Sequence, residues 1–173
     1  MRTVDEGPRI NDGRWESDVL SKQELKEAIE RHRDMVFRIA FTYMRNAADA
    51  DDVTQDVFVK LMHAKRPFES DEHLRNWLVR VAINTCKSLF RCPWRRVEDI
   101  ENYAAHLAVP THAHGEVFVA LMRLPEKYRV PLVLYYYGGY PTDEIADLIK
   151  APGATVRTRL ARGRAKLKMM IEG

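Results

Sequence analysis

The stretch Tyr140–Lys168, YPTDEIADLIKAPGATVRTRLARGRAKLK, decides the fold, and its spacing predicts two helices around a tight turn. On the first helix Ile145, Ala146, Leu148 and Ile149 form an apolar cluster, and Thr142 is placed to cap its start. Lys150-Ala151-Pro152-Gly153 then breaks the pattern, because proline disfavours a helical residue just before it. The second helix carries Val156, Leu160, Gly163 and Leu167 on one side, at helical spacings of three and four. Thr155, Arg157, Thr158, Arg159, Arg162, Arg164, Lys166 and Lys168 fill the rest of its surface. Ala146 supplies a small residue where the helices cross, with Val156 ten residues later beneath the second helix. That is helix–turn–helix spacing, which lets the second helix enter a DNA major groove.

Charge argues the same way. From Lys150 to the end, seven Lys/Arg stand against one acid, Glu172, a local net charge of +6 where the whole chain carries +3. A basic solvated helix is the plain alternative, but asymmetry of this size favours a polyanionic partner.

At 173 residues, 46% apolar and 31% charged, the chain fits one globular domain or two small ones. The opening MRTVDEGPRINDGRWESD lacks the apolar core of a signal peptide. The longest apolar run, Val130–Tyr137, is too short to span a bilayer, so a cytoplasmic protein is expected. Cys86 and Cys92 form no CxxC pair and are expected as two reduced thiols, Cys86 half-buried on a helix. Neither they nor His112-Ala113-His114 give the close ligand pairs of a zinc site, and no metal or cofactor is expected.

The pattern along the chain is all-α. Residues 1–20 show no periodicity and read as a mobile lead-in, in which Trp15 is the one feature that could dock. Ser21-Lys22-Gln23-Glu24 has the form of a capping box, opening a first long helix to about Arg45, with Asn46 at the turn. A second helix over about Ala48–Ala64 opens on Asp49, Asp51 and Asp52, at the positive end of its dipole. Val53, Val57, Phe58 and Leu61 make its inner face. After a loop broken by Pro67, a third helix runs from about Asp71 to Arg91, lined by Leu74, Trp77, Leu78, Val81, Ala82, Thr85 and Leu89. Residues 21–92 thus form a three-helix bundle, and 93–113 a flexible linker with weak helical content at Glu98–Leu107. Residues 114–173 form a second helical domain ending in the helix–turn–helix. The linker allows either a compact, autoinhibited arrangement of the two domains or an open one.

Two constellations besides the basic helix could carry function. Asp51 with Gln55, and Asp52 with Asp56, lie one turn apart and form a polar face opposite Val53, Val57 and Leu61. Carboxylate pairs can hold a metal or do acid–base work, but no histidine, nucleophile or phosphate-cradling loop sits nearby in sequence to complete a catalytic set. A docking surface fits better, and spacing alone leaves a solvated helix start equally open. The segment Phe68–Arg91 interleaves Arg75, Asn76, Trp77, Arg80, Asn84, Lys87 and Arg91 around an apolar stripe, a mixture suited to unstacked single-stranded bases. The register of Trp77 with Val81 places that indole in the core instead.

Taken together and in this order, the pieces resemble a sigma factor of bacterial RNA polymerase, of the compact extracytoplasmic-function (ECF) subfamily. ADADDVTQDVFVKL (Ala48–Leu61) resembles the core-polymerase-binding helix of that family's region two. HLRNWLVRVAINTCKSLFR (His73–Arg91) resembles the helix that opens and reads the −10 element. Leu121–Leu167 resembles region four, whose recognition helix reads the −35 element, and nothing between matches the middle domain of larger sigma factors. The resemblance implies that Asp51, Asp52, Gln55, Asp56 and Phe58 dock the clamp helices of the largest polymerase subunit, with the polymerase flap as a further contact. It implies that Phe68, Glu69, Ser70 and Asp71, in the Phe68–Glu72 loop, capture a flipped non-template −10 base, while Asn76, Trp77, Arg80 and Asn84 lie along the separated strand. Thr155, Arg157, Thr158 and Arg159 would face the −35 groove, Arg162 its phosphates, and Arg164 and Lys166 would add salt-sensitive affinity. An anti-sigma factor as partner, a stress-response role and the absence of catalytic residues are implied as well. Lys150 stands where the family's turn usually carries glycine, and Gly153-Ala154 inverts the usual order of a larger residue followed by glycine. The rival readings are a free-standing helix–turn–helix regulator, which would bind operator duplex without polymerase, and a small metal-dependent helical enzyme.

Overall fold

The computed structural model describes residues 10–11, 14–15, 20–89 and 112–172. Within them the helices are α1 (Lys22–Met44), α2 (Ala47–Met62), α3 (Asp71–Leu89), α4 (His112–Arg123), α5 (Glu126–Tyr136), α6 (Thr142–Ile149) and α7 (Gly153–Glu172). The expected weak helix at Glu98–Leu107, Arg91, Cys92 and most of the linker lie outside the described residues.

Each start and stop has a local cause. Both arms of the capping box at the head of α1 are formed: Glu24 N–H donates to Ser21 Oγ at 3.2 Å, and Ser21 N–H to Glu24 Oε2 at 2.7 Å. Arg45 ends α1 in the left-handed region, and Asn46 Oδ1 accepts from Asp49 N–H at 2.9 Å to open α2. Ser70 Oγ accepts from His73 N–H at 3.0 Å over the first turn of α3. At α6 the expected cap is corrected: Pro141 occupies the capping position with no side-chain bond, and Thr142 is already the first helical residue. Proline there sets an extended entry that leaves the threonine inside the helix.

Three further expectations change. The lead-in contains a minimal antiparallel ladder pairing Ile10 with Trp15 and Asn11 with Arg14, too short to show as alternation in the sequence. His112-Ala113-His114, assigned to the linker, forms the first turn of α4. Cys86, expected to be half-buried, has no exposed surface.

The core runs without interruption through both helical groups. Val36, Ala40, Val53, Val57, Leu78, Val79, Ala82 and Ile83 fill the first, and Leu124, Leu132, Leu134, Ile145 and Val156 the second. Each Val, Leu or Ile side chain among them contributes roughly 1.5–3 kcal/mol on burial. The two groups touch along α1–α5 and α3–α6, so the described residues take the compact arrangement. The rings of Phe41 on α1 and Phe118 on α4 stack across the boundary at 6.1 Å. Arg129, buried in α5, donates from Nε to the carbonyl of Thr42 in the last turn of α1, at 2.7 Å.

Candidate polymerase and nucleic-acid interfaces

The acidic face of α2 is divided by its partners. Asp51 accepts from Arg33 of α1 at 3.2 Å, and Asp56 from Lys60 at 2.7 Å. Lys60 also donates to Thr85 of α3 at 2.9 Å, tying that edge to the bundle. Asp52 and Gln55 are exposed one turn apart on the outer side. Phe58, implied by the resemblance among the docking residues, is a core side chain on the inner face that its spacing predicts, with Val53, Val57 and Leu61. Val59 and Met62 are each about half exposed on the opposite side. Both are apolar positions off the inner stripe, a signal already present in the sequence.

The loop before α3 is built from aromatic contacts and one ion cluster. The ring of Phe68 meets His73 and Trp77 edge-on, at 5.6 and 5.5 Å. Trp77 is half-buried against the core, as its register required. Glu69 N–H donates to His73 Nδ1 at 3.3 Å. Asp71 accepts from Arg31 at 2.7 Å and contacts the buried ring of His32 at 3.2 Å, both from α1. The Arg31 bond, with help from His32, holds the Asp71 carboxyl below its ordinary range. Further along α3, Arg80 and Asn84 are exposed, whereas Asn76 is half-buried with its Oδ1 enclosed and no hydrogen-bond partner. Arg75 and Lys87 reach the second helical group instead. Arg75 donates to the carbonyl of Gly138 and lies 4.5 Å over the Tyr140 ring, and Lys87 donates to the carbonyl of Ile149 at 3.2 Å. Burial pushes the Tyr140 phenol up to about 12 against the opposing pull of Arg75.

In the helix–turn–helix, Lys150 takes the left-handed conformation that the turn requires, at φ 55° and ψ 53°. The turn is therefore made without glycine at that position, and its N–H bonds to the carbonyl of Ala146. Val156, Leu160 and Gly163 are buried, as the spacing of α7 predicts. Gly163 admits the close approach of α5: a Cβ there would meet Leu132 Cδ1 at 3.0 Å and Tyr128 Cβ at 3.3 Å. Arg157, Thr158, Arg162, Arg164 and Lys166 are exposed, and Thr155 and Arg159 half-buried. Thr158 Oγ1 donates back to the carbonyl of Ala154 at 2.9 Å, which fixes its rotamer. An open cleft of about 390 Å³ runs between the start of α5 and the start of α7, lined by Lys127, Tyr128, Ala154, Thr155, Thr158, Arg159 and Arg162. Lys127 was not singled out from sequence, since it lies in another helix and only the fold brings it to α7.

Residues 28–96 match the family model "Sigma-70 region 2", and residues 114–167 match "Sigma-70, region 4". The chain belongs to the ECF sigma factors. It is 30% identical over 149 residues to the ECF RNA polymerase sigma factor SigM of Mycobacterium tuberculosis, covering 84% of this chain and 76% of that one. To the ECF RNA polymerase sigma-E factor of Escherichia coli K12 it is 26% identical over 185 residues, covering 90% and 97%. Among solved structures it resembles CnrH in complex with the cytosolic domain of CnrY, with TM-score 0.65, 28% identity and 88% and 90% of the two chains covered. RpoE of Bartonella quintana, solved with the anti-sigma factor NepR, shares the fold at TM-score 0.69 and 16% identity, over 87% and 98% of the two chains. This ECF sigma factor is accordingly a promoter-specific transcription initiation factor, all-α in its described domains. Among the described residues no helix is long and apolar enough to cross a membrane.

Proposed function

We propose that this ECF sigma factor binds core RNA polymerase through the outer face of α2, with Asp52 and Gln55 making the central contacts on the clamp helices of the largest subunit. The observation that carries this is the exposed Asp52/Gln55 ridge: Asp51 and Asp56 are tied to neighbouring cations, while these two face outward on a rigid, well-packed helix. Phe58 acts from beneath, by fixing the helix, and Val59 and Met62 supply apolar surface at its edge. Residues 21–92 and 114–173 work as the two promoter-binding domains, joined by the segment 93–113. The loop Phe68-Glu69-Ser70-Asp71 and the α3 residues Asn76, Trp77, Arg80 and Asn84 take the −10 strand. Ser70 and Asp71 serve mainly to hold the loop, given their bonds to His73 and to Arg31 and His32. Thr155, Arg157, Thr158 and Arg159 address −35 base edges, with Arg162, Arg164 and Lys166 on phosphates.

The polymerase performs the phosphoryl transfer, and this chain, working in the cytoplasm, contributes recognition and strand opening without catalytic residues of its own. The flap is its second polymerase contact, at the 114–173 domain. An anti-sigma factor is its regulator, a reading supported by the likeness to CnrH, which was solved with CnrY. The test is transcription in vitro by purified core polymerase on a pool of genomic promoter fragments. Promoter-specific transcripts should appear only with this protein and fade in the Asp52→Arg/Gln55→Ala variant. Tight binding of bare duplex by the protein alone, with no transcripts, would replace this reading with a free-standing regulator.

A further inference from the structure

We infer that Lys127, with Arg162, forms a seat for one backbone phosphate of the promoter duplex, bordering the base-reading residues of the recognition helix. This rests on the −35 reading proposed above. Three cationic side chains from two helices line one open cleft of about 390 Å³, and no carboxylate is among its lining residues. Like charges gathered around an open volume favour an anion between them. Tyr128 makes the floor. The Lys127 ammonium lies 5.1 Å from its ring centroid, and Lys166 approaches the same ring at 6.0 Å, so the cations have an aromatic platform that restricts where they can point. Thr155 and Thr158 line the side of the cleft nearest the base-reading residues, with the Thr158 proton committed to the Ala154 carbonyl. Lys127 sits in the first turn of α5, where the helix dipole adds to the positive potential. The cleft flanks α7, and cations from α5 and α7 converge on its open volume, which suits a phosphate. Its position on a rigid, buried helix would fix the angle at which α7 enters the duplex, a positioning task that carries no sequence information.

The seat can be tested in the holoenzyme, using a duplex that the wild-type holoenzyme selects from a random library. Failure to select any duplex would count against the −35 reading itself, before the seat is reached. Given a selected duplex, single phosphates are replaced one at a time by neutral methylphosphonates. One position should weaken wild-type binding and leave Lys127→Ala unaffected, because the variant has already lost that contact. The variant's slope of log affinity against log salt should be shallower by ~0.9, so that between roughly 50 and 200 mM salt it loses about threefold less affinity than wild type. Its base preferences should stay unchanged, whereas Arg157→Ala should relax them. Lys127→Arg should restore the methylphosphonate sensitivity. Identical methylphosphonate profiles for wild type and Lys127→Ala would overturn the seat. So would weakened assembly of the variant with core polymerase at unchanged duplex affinity, which would give the cleft to an acidic protein segment.

Discussion

The guanidinium of Arg129 in α5 donates from Nε to the carbonyl of Thr42 in α1 at 2.7 Å, while Nη1 of the same side chain donates to the carbonyls of Leu124 at 2.6 Å and Met122 at 3.1 Å. One buried cation thus gathers the end of α1, the end of α4 and the turn after it. Burial lowers its pKa only to about 10, so it stays charged at neutral pH. Placing it by a helix C-terminus gives the charge a partner made of carbonyl dipoles rather than a carboxylate.

Arg129→Met keeps an unbranched apolar stem and removes every donor. Leaving buried carbonyls without that donor should lower the unfolding free energy by about 1–3 kcal/mol, or more if none finds water. Urea unfolding followed by circular dichroism measures this as a lower midpoint. An unchanged midpoint would show that the clasp contributes nothing to stability.

The Asp71 cluster predicts an acid response. The folded carboxyl is held below its unfolded value of 3.8, first by Arg31 and then by His32. Its contribution is therefore fully present above that value and disappears as the pH falls through the lower folded one. Asp71→Asn should cost stability at pH 7 and little at pH 2, and the α3 start should loosen with it. The comparison is a pair of thermal melts at each pH. The effect is small, since Asp71 and Arg31 are both about half exposed.

Lys150 holds a left-handed backbone that costs an L-residue on the order of 1 kcal/mol. Lys150→Gly should remove that strain and raise stability by up to about 1 kcal/mol, part of it offset by the greater freedom of an unfolded glycine. Binding to the −35 duplex should hold steady apart from the loss of one distant charge. A melting temperature that falls instead would mean the lysine side chain contributes more than its backbone costs.

Gly163→Val tests the approach of α5 to α7. The added atoms would start 3.0 Å from Leu132 and 3.3 Å from Tyr128, a contact that must open. Overpacking of this kind costs about 1–3 kcal/mol. Because Tyr128 also floors the cleft beside Lys127, promoter affinity should fall along with thermal stability, measured on the same preparation.

Much of this was legible from local signals. The capping box at Ser21 and Glu24, the apolar stripes of α2 and α7, and the turn before Pro152 each rest on neighbours a few residues apart, and each folds as its spacing dictates. What the sequence hid depends on chain segments meeting at a distance. Arg129 reads as an ordinary charge until Thr42 is beside it, and Lys127 as another until α7 is. Phe58 carried two expectations, the inner face by helical phase and a docking role by resemblance, and the fold seats it on the inner face. The ladder at Ile10–Trp15 is too short for any periodicity to announce.

Arg75 and Lys87 stand on the helix assigned to the −10 strand, yet their donors are committed to the carbonyls of Gly138 and Ile149. A ligand that draws either cation away must loosen the contact between the helical groups. By thermodynamic reciprocity, whatever parts the groups raises the affinity of α3 for that ligand by the same factor. For any ligand that takes either cation, binding and separation of the helical groups would then be two sides of one equilibrium.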